Sequence, residues 1–146
     1  MIERKKFLEF ITLMPFPCVD IIVINGSNYL LVKRKNAPAK NLWWFPGGRL
    51  IKGELSEVAT KRICQREIGL EVTPRRIVDV TETIFEDGPD EIPVHSVNII
   101  YLVNSHSNLV VLDDDHSEFK WVQMGRIPEE LDNRLKEVLF RVWGEN

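Results

Sequence analysis

The run Gly48-Arg49-Leu50-Ile51-Lys52-Gly53-Glu54-Leu55-Ser56-Glu57-Val58-Ala59-Thr60-Lys61-Arg62-Ile63-Cys64-Gln65-Arg66-Glu67-Ile68-Gly69-Leu70 sets the organisation of this chain. It opens on a glycine-rich loop, Pro46-Gly47-Gly48, in which a backbone can approach a ligand closely. Residues 55–68 then carry neither glycine nor proline, and Gly69 supplies a helix stop, so one helix is expected there. At about 100° per residue, Leu55, Val58, Ala59 and Ile63 share an arc with Arg62 and Arg66, and that arc is expected to meet the core. Guanidiniums placed so need partners, either an acid such as Glu54 or an anion in a polar cleft. Glu67 stands on another face, where a late helical glutamate is ordinarily solvated.

On the N-terminal side, Ile2, Phe7, Phe10 and Ile11 space as a short amphipathic helix ending before Pro15. Val19–Ile24 and Tyr29–Val32 read as a hairpin around Asn25-Gly26-Ser27-Asn28, and Leu42–Phe45 as a third short strand. Beyond the central helix, strands are expected at 76–85, 94–103, 109–112 and 119–122, with 113–118 as a polar loop. A closing helix follows Pro128, with Leu131, Leu135, Val138, Leu139, Val142 and Trp143 as one apolar stripe. This order of elements predicts an α+β fold, a mixed β-sheet flanked by helices, in one domain over 1–146.

Composition narrows the function. Nineteen Lys+Arg against 22 Asp+Glu give a net charge of -3, which argues against a nucleic-acid partner. Cys18 and Cys64 fit neither a disulfide framework nor a zinc-ligand spacing, so a reducing cytoplasm is expected. The first residues contain no apolar leader, and no apolar run is long enough to span a membrane.

Charge is unevenly placed. Between Asp20 and Glu54 stand Lys33, Arg34, Lys35, Lys40, Arg49 and Lys52 and no acid, either a solvated basic face or an anion site around the Gly47-Gly48 loop. Asp113-Asp114-Asp115-His116-Ser117-Glu118 reverses the sign: a polar turn, or an oxygen-rich site for Mg²⁺ or Mn²⁺ beside a residue type that exchanges protons near neutrality. A basic segment for phosphates facing an acidic one for a divalent metal is what metal-assisted cleavage of a phosphate ester requires. Trp43 and Trp44 are candidates either for the core or for stacking on a base or sugar.

Gly48, Glu54, Arg62, Glu67, Gly69 and Leu70 together resemble the Nudix hydrolase signature GX5EX7REUXEEXGU, with Arg62-Ile63 in place of its Arg-Glu pair and Arg66-Glu67 in place of its Glu-Glu pair. The same stretch, with Lys33-Arg34 upstream and the late Asp-His loop, is similar to the GDP-mannose mannosyl hydrolase branch of that family. The resemblance implies a Nudix α/β/α sandwich acting on a small nucleotide substrate, with a homodimer left open. It implies Mg²⁺ or Mn²⁺ held by the Gly47 carbonyl, Glu67 and Asp115, and His116 as general base. It also implies Arg34 and Arg49 on the phosphates, Arg62 as the arginine of the motif, and Asp20 as a substrate contact. Thr83 and Ser96 stand where that branch carries a histidine and a tyrosine around the sugar and diphosphate, which leaves sugar and base open.

Enzymes of that branch resemble inverting glycosidases, with water displacing a nucleoside diphosphate from sugar C1. One helix glutamate is too few acids for a multi-metal attack on phosphorus but suits one Mg²⁺ on a departing diphosphate. Two alternatives stand beside this reading: a Nudix pyrophosphohydrolase attacking phosphorus of a nucleotide or dinucleoside diphosphate, and a non-catalytic nucleotide-binding module.

Overall fold

The chain runs α1 (Arg4–Leu13), β1 (Phe16–Asn25), β2 (Asn28–Arg34), β3 (Trp43–Trp44), β4 (Gly47–Arg49), α2 (Ser56–Ile68), β5 (Val72–Phe85), β6 (Val94–Ser105), β7 (His116–Gln123) and α3 (Asn133–Gly144). The computed structural model describes residues 2–144, so Met1, Glu145 and Asn146 of the expected 1–146 domain lie outside the described residues. Ile21, Ile22 and Val23 are wholly buried at consecutive positions, as in a strand covered on both faces. Because neighbouring residues of a strand point opposite ways, Val19, Ile21 and Val23 pack against Ala59, Ile63 and Cys64 of α2, whereas Ile22 and Ile24 pack against Leu135, Val138 and Leu139 of α3. The expected α/β/α sandwich is present. Strands lie in the order β3-β2-β1-β6-β5, with β1 parallel to β6; β4 also pairs β1 and β7 also pairs β2, both antiparallel. Among the described residues no helix is long and apolar enough to cross a membrane.

Several expectations need correction. Residues 109–112 form no strand, because their backbone serves α2 instead: Val111 N–H donates to Ile68 O at 2.9 Å and Asp113 N–H to Glu67 O at 3.0 Å, satisfying carbonyls that a helix end leaves open. Val110 and Leu112 still pack on the core, which explains the strand-like alternation. The acidic loop is shorter than expected, since His116, Ser117 and Glu118 already belong to β7.

The buried arc of α2 is turned from the expected one. Leu55 is 70% exposed and Val58 49%, while Ala59, Thr60, Ile63, Cys64 and Ile68 are buried. Thr60 and Cys64, small enough to lie against the sheet, carry the face that the two larger residues were expected to hold. Arg62 and Arg66 therefore sit at its margin, and Glu67 falls within it. In α1 only Ile11 is buried, and Phe10 is exposed.

Candidate active site

A cavity of about 560 Å³ opens beside β1, β4, α2 and the start of β7. Asp20, Arg34, Gly47 and Arg49 line it, and so do Arg62, Glu67, Asp115 and His116, so every site residue singled out from sequence opens on one space. Local folding explains the convergence. β1 pairs with β4 so that Asp20 stands opposite Gly47, and a bulge between Lys33 and Arg34 sets Arg34 opposite His116.

Glu67 is the carboxylate that α2 turns into this space, its side chain 15% exposed. Its Oε1 accepts the Gly47 N–H at 3.2 Å and lies 3.9 Å from His116 Nε2. Burial pushes the Glu67 carboxyl up to about 8, with Asp113 adding to the shift and the Gly47 amide, Arg34 and Arg66 pulling the other way. His116 is 5% exposed, and its Nδ1 lies 2.7 Å from Asp113 Oδ1. A carboxylate only accepts, so Nδ1 carries a proton, and Nε2 is the ring nitrogen turned toward Glu67. Asp113 belongs to the acidic run read from sequence but had no individual role there; its position three before His116 is the signal for this pairing. Asp115 instead faces the β2 side, where its Oδ1 accepts from Asn36 Nδ2 at 3.0 Å and its carbonyl from Lys35 N–H at 3.0 Å.

The arginines divide into two kinds. Arg62 forks onto Glu54, Nε to Oε2 at 2.7 Å and a terminal nitrogen to Oε1 at 2.9 Å, and also donates to the Arg49 carbonyl at 3.0 Å, which fastens the loop to the helix. That hydrogen-bonded partner holds the Glu54 carboxyl below its usual range. Arg34 Nε donates to Pro38 O at 2.7 Å, and the Arg49 guanidinium stacks 3.7 Å from the Phe7 ring of α1. Burial lowers the pKa of Arg49, and the nearby Arg66 adds to that effect. Among the described residues no carboxylate lies within ion-pair distance of Arg34, Arg49 or Arg66, although Arg34 acts on Asp20 and Glu67 and Arg66 on Glu67, so this wall carries positive charge. Trp44 is buried, and Trp43 lies under the Lys120 and Lys33 ammonium groups, so the pair belongs mainly to the framework.

Two consequences can be measured. A Cβ on Gly47 would stand 2.4 Å from Asp20 Oδ1 and 2.7 Å from the Val19 carbonyl, and the second of these is backbone. Gly47→Ala is expected to cost about 1–3 kcal/mol of stability and most of the activity, read by thermal melts and turnover. Burial also pushes the Asp20 carboxyl from its ordinary 3.8 up to about 7, against the pull of Arg34. The folded state then holds this proton more firmly than the unfolded chain, so the associated stability is complete below the unfolded value and is lost as pH rises through the folded one. Asp20→Asn is expected to flatten that decline, read as denaturation midpoints of metal-free protein at acid and alkaline pH.

The NUDIX domain family model matches residues 14–142. The chain belongs to the Nudix family. The MutT NUDIX hydrolase from Burkholderia pseudomallei superposes with a TM-score of 0.75 at 25% identity, over 88% of this chain and 98% of that one. Low-salt glycan biosynthesis protein Agl8 of Haloferax volcanii is 32% identical over 105 residues, 72% of this chain and 64% of its own length, so the chain spans just under two thirds of that relative. The ADP-ribose pyrophosphatase of Methanocaldococcus jannaschii is 29% identical over 128 residues, 87% of this chain and 72% of that protein.

Nudix hydrolases generally use divalent metals such as Mg²⁺. The donors here suit such an ion: Glu67 is a hard oxygen ligand held away from water beside Asp113, and a cation would relieve the cost of ionising it. Among the described residues no three His, Cys, Asp or Glu side chains converge as a closed cage.

Proposed function

We propose that this Nudix hydrolase acts on a nucleoside diphosphate sugar of the GDP-mannose type, with water displacing the nucleoside diphosphate from sugar C1. The observation that supports the reading is His116, held by Asp113 at 2.7 Å with Nε2 toward the one α2 carboxylate in the cavity. In this arrangement Nε2 takes the proton of the attacking water, Asp113 fixes the ring and stabilises its charged form, and Arg34 and Arg49 bind the diphosphate. Glu67 is the residue that would hold Mg²⁺ or Mn²⁺, with Gly47 and the Asp113–Asp115 loop beside it. When bound, the cation supplies charge neutralisation for the leaving diphosphate. Glu54 is spent on Arg62 and brings no second carboxylate to the site.

Similarity to the Methanocaldococcus protein named ADP-ribose pyrophosphatase favours a second reading, attack at phosphorus. The test is a panel of nucleotide sugars incubated with purified protein and Mg²⁺. Substitution at C1 yields free reducing sugar and a nucleoside diphosphate; attack at phosphorus yields a sugar phosphate and a nucleoside monophosphate. Under either reading, Arg34→Gln and Arg49→Gln are each expected to raise KM or lower kcat at least about tenfold, an energy of ~1.4 kcal/mol. Unchanged kinetics in both would make this wall a solvated basic face.

A further inference from the structure

The β5–β6 wall of the cavity carries three polar side chains outside the reacting centre: Thr83, Ser96 and Asn98, of which Thr83 and Asn98 are buried. Thr83 and Ser96 are register partners, and Asn98 lies two residues further on the same face. Ser96 Oγ donates to Asn98 Oδ1 at 2.9 Å, and Asn98 Nδ2 donates to Thr83 Oγ1 at 2.7 Å and towards Thr81 Oγ1 at 3.4 Å. The amide therefore sets the sense of both hydroxyls. Ser96 has given up its only proton and can accept from a ligand; Thr83 has accepted, so its proton remains to donate.

Position adds to polarity. Ser96 stands beside Phe16, four residues along β1 from Asp20, which is about 13 Å at strand rise. A sugar attacked beside His116 does not extend so far, whereas a base beyond the diphosphate and ribose does. Phe85, two residues past Thr83 on β5, and Trp44 line the same cavity with rings 5.7 Å apart, an apolar wall suited to a flat ring.

We infer that Thr83 and Ser96, set by Asn98, read the hydrogen-bonding edge of the nucleobase, an inference that rests on the reading of the substrate as a nucleoside diphosphate derivative. A fixed donor beside a fixed acceptor discriminates little among sugar hydroxyls, which rotate to suit. It does discriminate bases. Guanine and uracil present a carbonyl acceptor beside a ring N–H, while adenine and cytosine present an amine beside a ring acceptor, in the reverse sense. Asn98 is thus a positioning residue that acts through the two hydroxyls.

The experiment is calorimetric titration, with Mg²⁺, of the uncleavable α,β-methylene analogues of GDP, UDP, ADP and CDP, and of methylenediphosphonate as the phosphate-only probe. Wild type is expected to separate the keto pair from the amino pair by at least about tenfold. Thr83→Val and Ser96→Ala are each expected to shrink that ratio severalfold while leaving methylenediphosphonate affinity unchanged. Asn98→Asp, whose carboxylate accepts from both hydroxyls, is expected to erase the ratio or invert it. Ser96 is only half-buried, so its alanine variant keeps the test available if Thr83→Val fails to fold. An unseparated wild type, a ratio that survives both substitutions, or an equal loss of methylenediphosphonate binding would overturn the inference. Binding is read without turnover, so a result placing attack on phosphorus would change the proposed reaction and leave this inference standing.

Discussion

Glu67→Gln is expected to lower kcat by about 10³-fold or more while the protein stays folded. Charge neutralisation by a divalent cation is worth several kcal/mol in a transition state, and each ~1.4 kcal/mol is a factor of ten. The other acid of the motif helix, Glu57, does not line the cavity, so no second carboxylate of that helix can take over. The fold is insulated from the change. With its carboxyl pushed up to about 8 by burial, Glu67 is largely protonated at neutral pH in the metal-free protein. Gln has the same shape and still accepts the Gly47 N–H. Thermal melts of metal-free protein should therefore coincide within a few degrees, whereas Mn²⁺ binding measured by calorimetry should disappear. Asp115→Asn should be mild by comparison, since that side chain is engaged with Asn36. Wild-type turnover in Glu67→Gln would remove the metal assignment.

The sandwich was legible because its signals are strong and local. The β-branched run at Val19–Ile24, interrupted only by Asp20, the Asn25–Asn28 turn and the Gly69 stop each correspond to an element of the structure, with Gly69 in the left-handed conformation at φ 66°. The candidate site residues, drawn from spacing, charge asymmetry and the family resemblance, open on one cavity. What sequence could not give is orientation. The face of α2 differs from the expected one because Leu55 and Val58 outweigh Thr60 and Cys64 in hydrophobicity, although the smaller pair is the buried one. With that face turned, Glu67 moved from solvent to the cavity wall, a shift of role no propensity encodes. The pairing of Asp113 with His116 was hidden for a related reason. It depends on residues 110–113 capping the end of α2, a tertiary use of backbone that reads in sequence as a strand.

Hydrolysis in ¹⁸O-labelled water is expected to place the label in the released sugar, with the anomeric centre inverted. A histidine whose Nε2 is turned toward the cavity carboxylate and a wall carrying Arg34 and Arg49 are the parts that substitution at carbon needs: one group to take a proton from water, and positive charge to hold the departing diphosphate, to which a cation held by Glu67 would add. His116→Gln should then cost about 10²–10⁴-fold in kcat, the usual worth of a positioned general base. Asp113→Asn should cost about 10–100-fold, because the amide leaves the ring present but no longer fixes its tautomer or supports its charge. The order of these two losses matters. A histidine that merely fills the buried start of β7 would lose stability in both variants and show no separation between kcat and the melting temperature. Label in phosphate would place this enzyme with hydrolases that attack phosphorus, and the His116–Asp113 pair would then need a role other than activating water at carbon. Glu67 would keep its assignment under either outcome, since a cation beside the diphosphate serves both reactions.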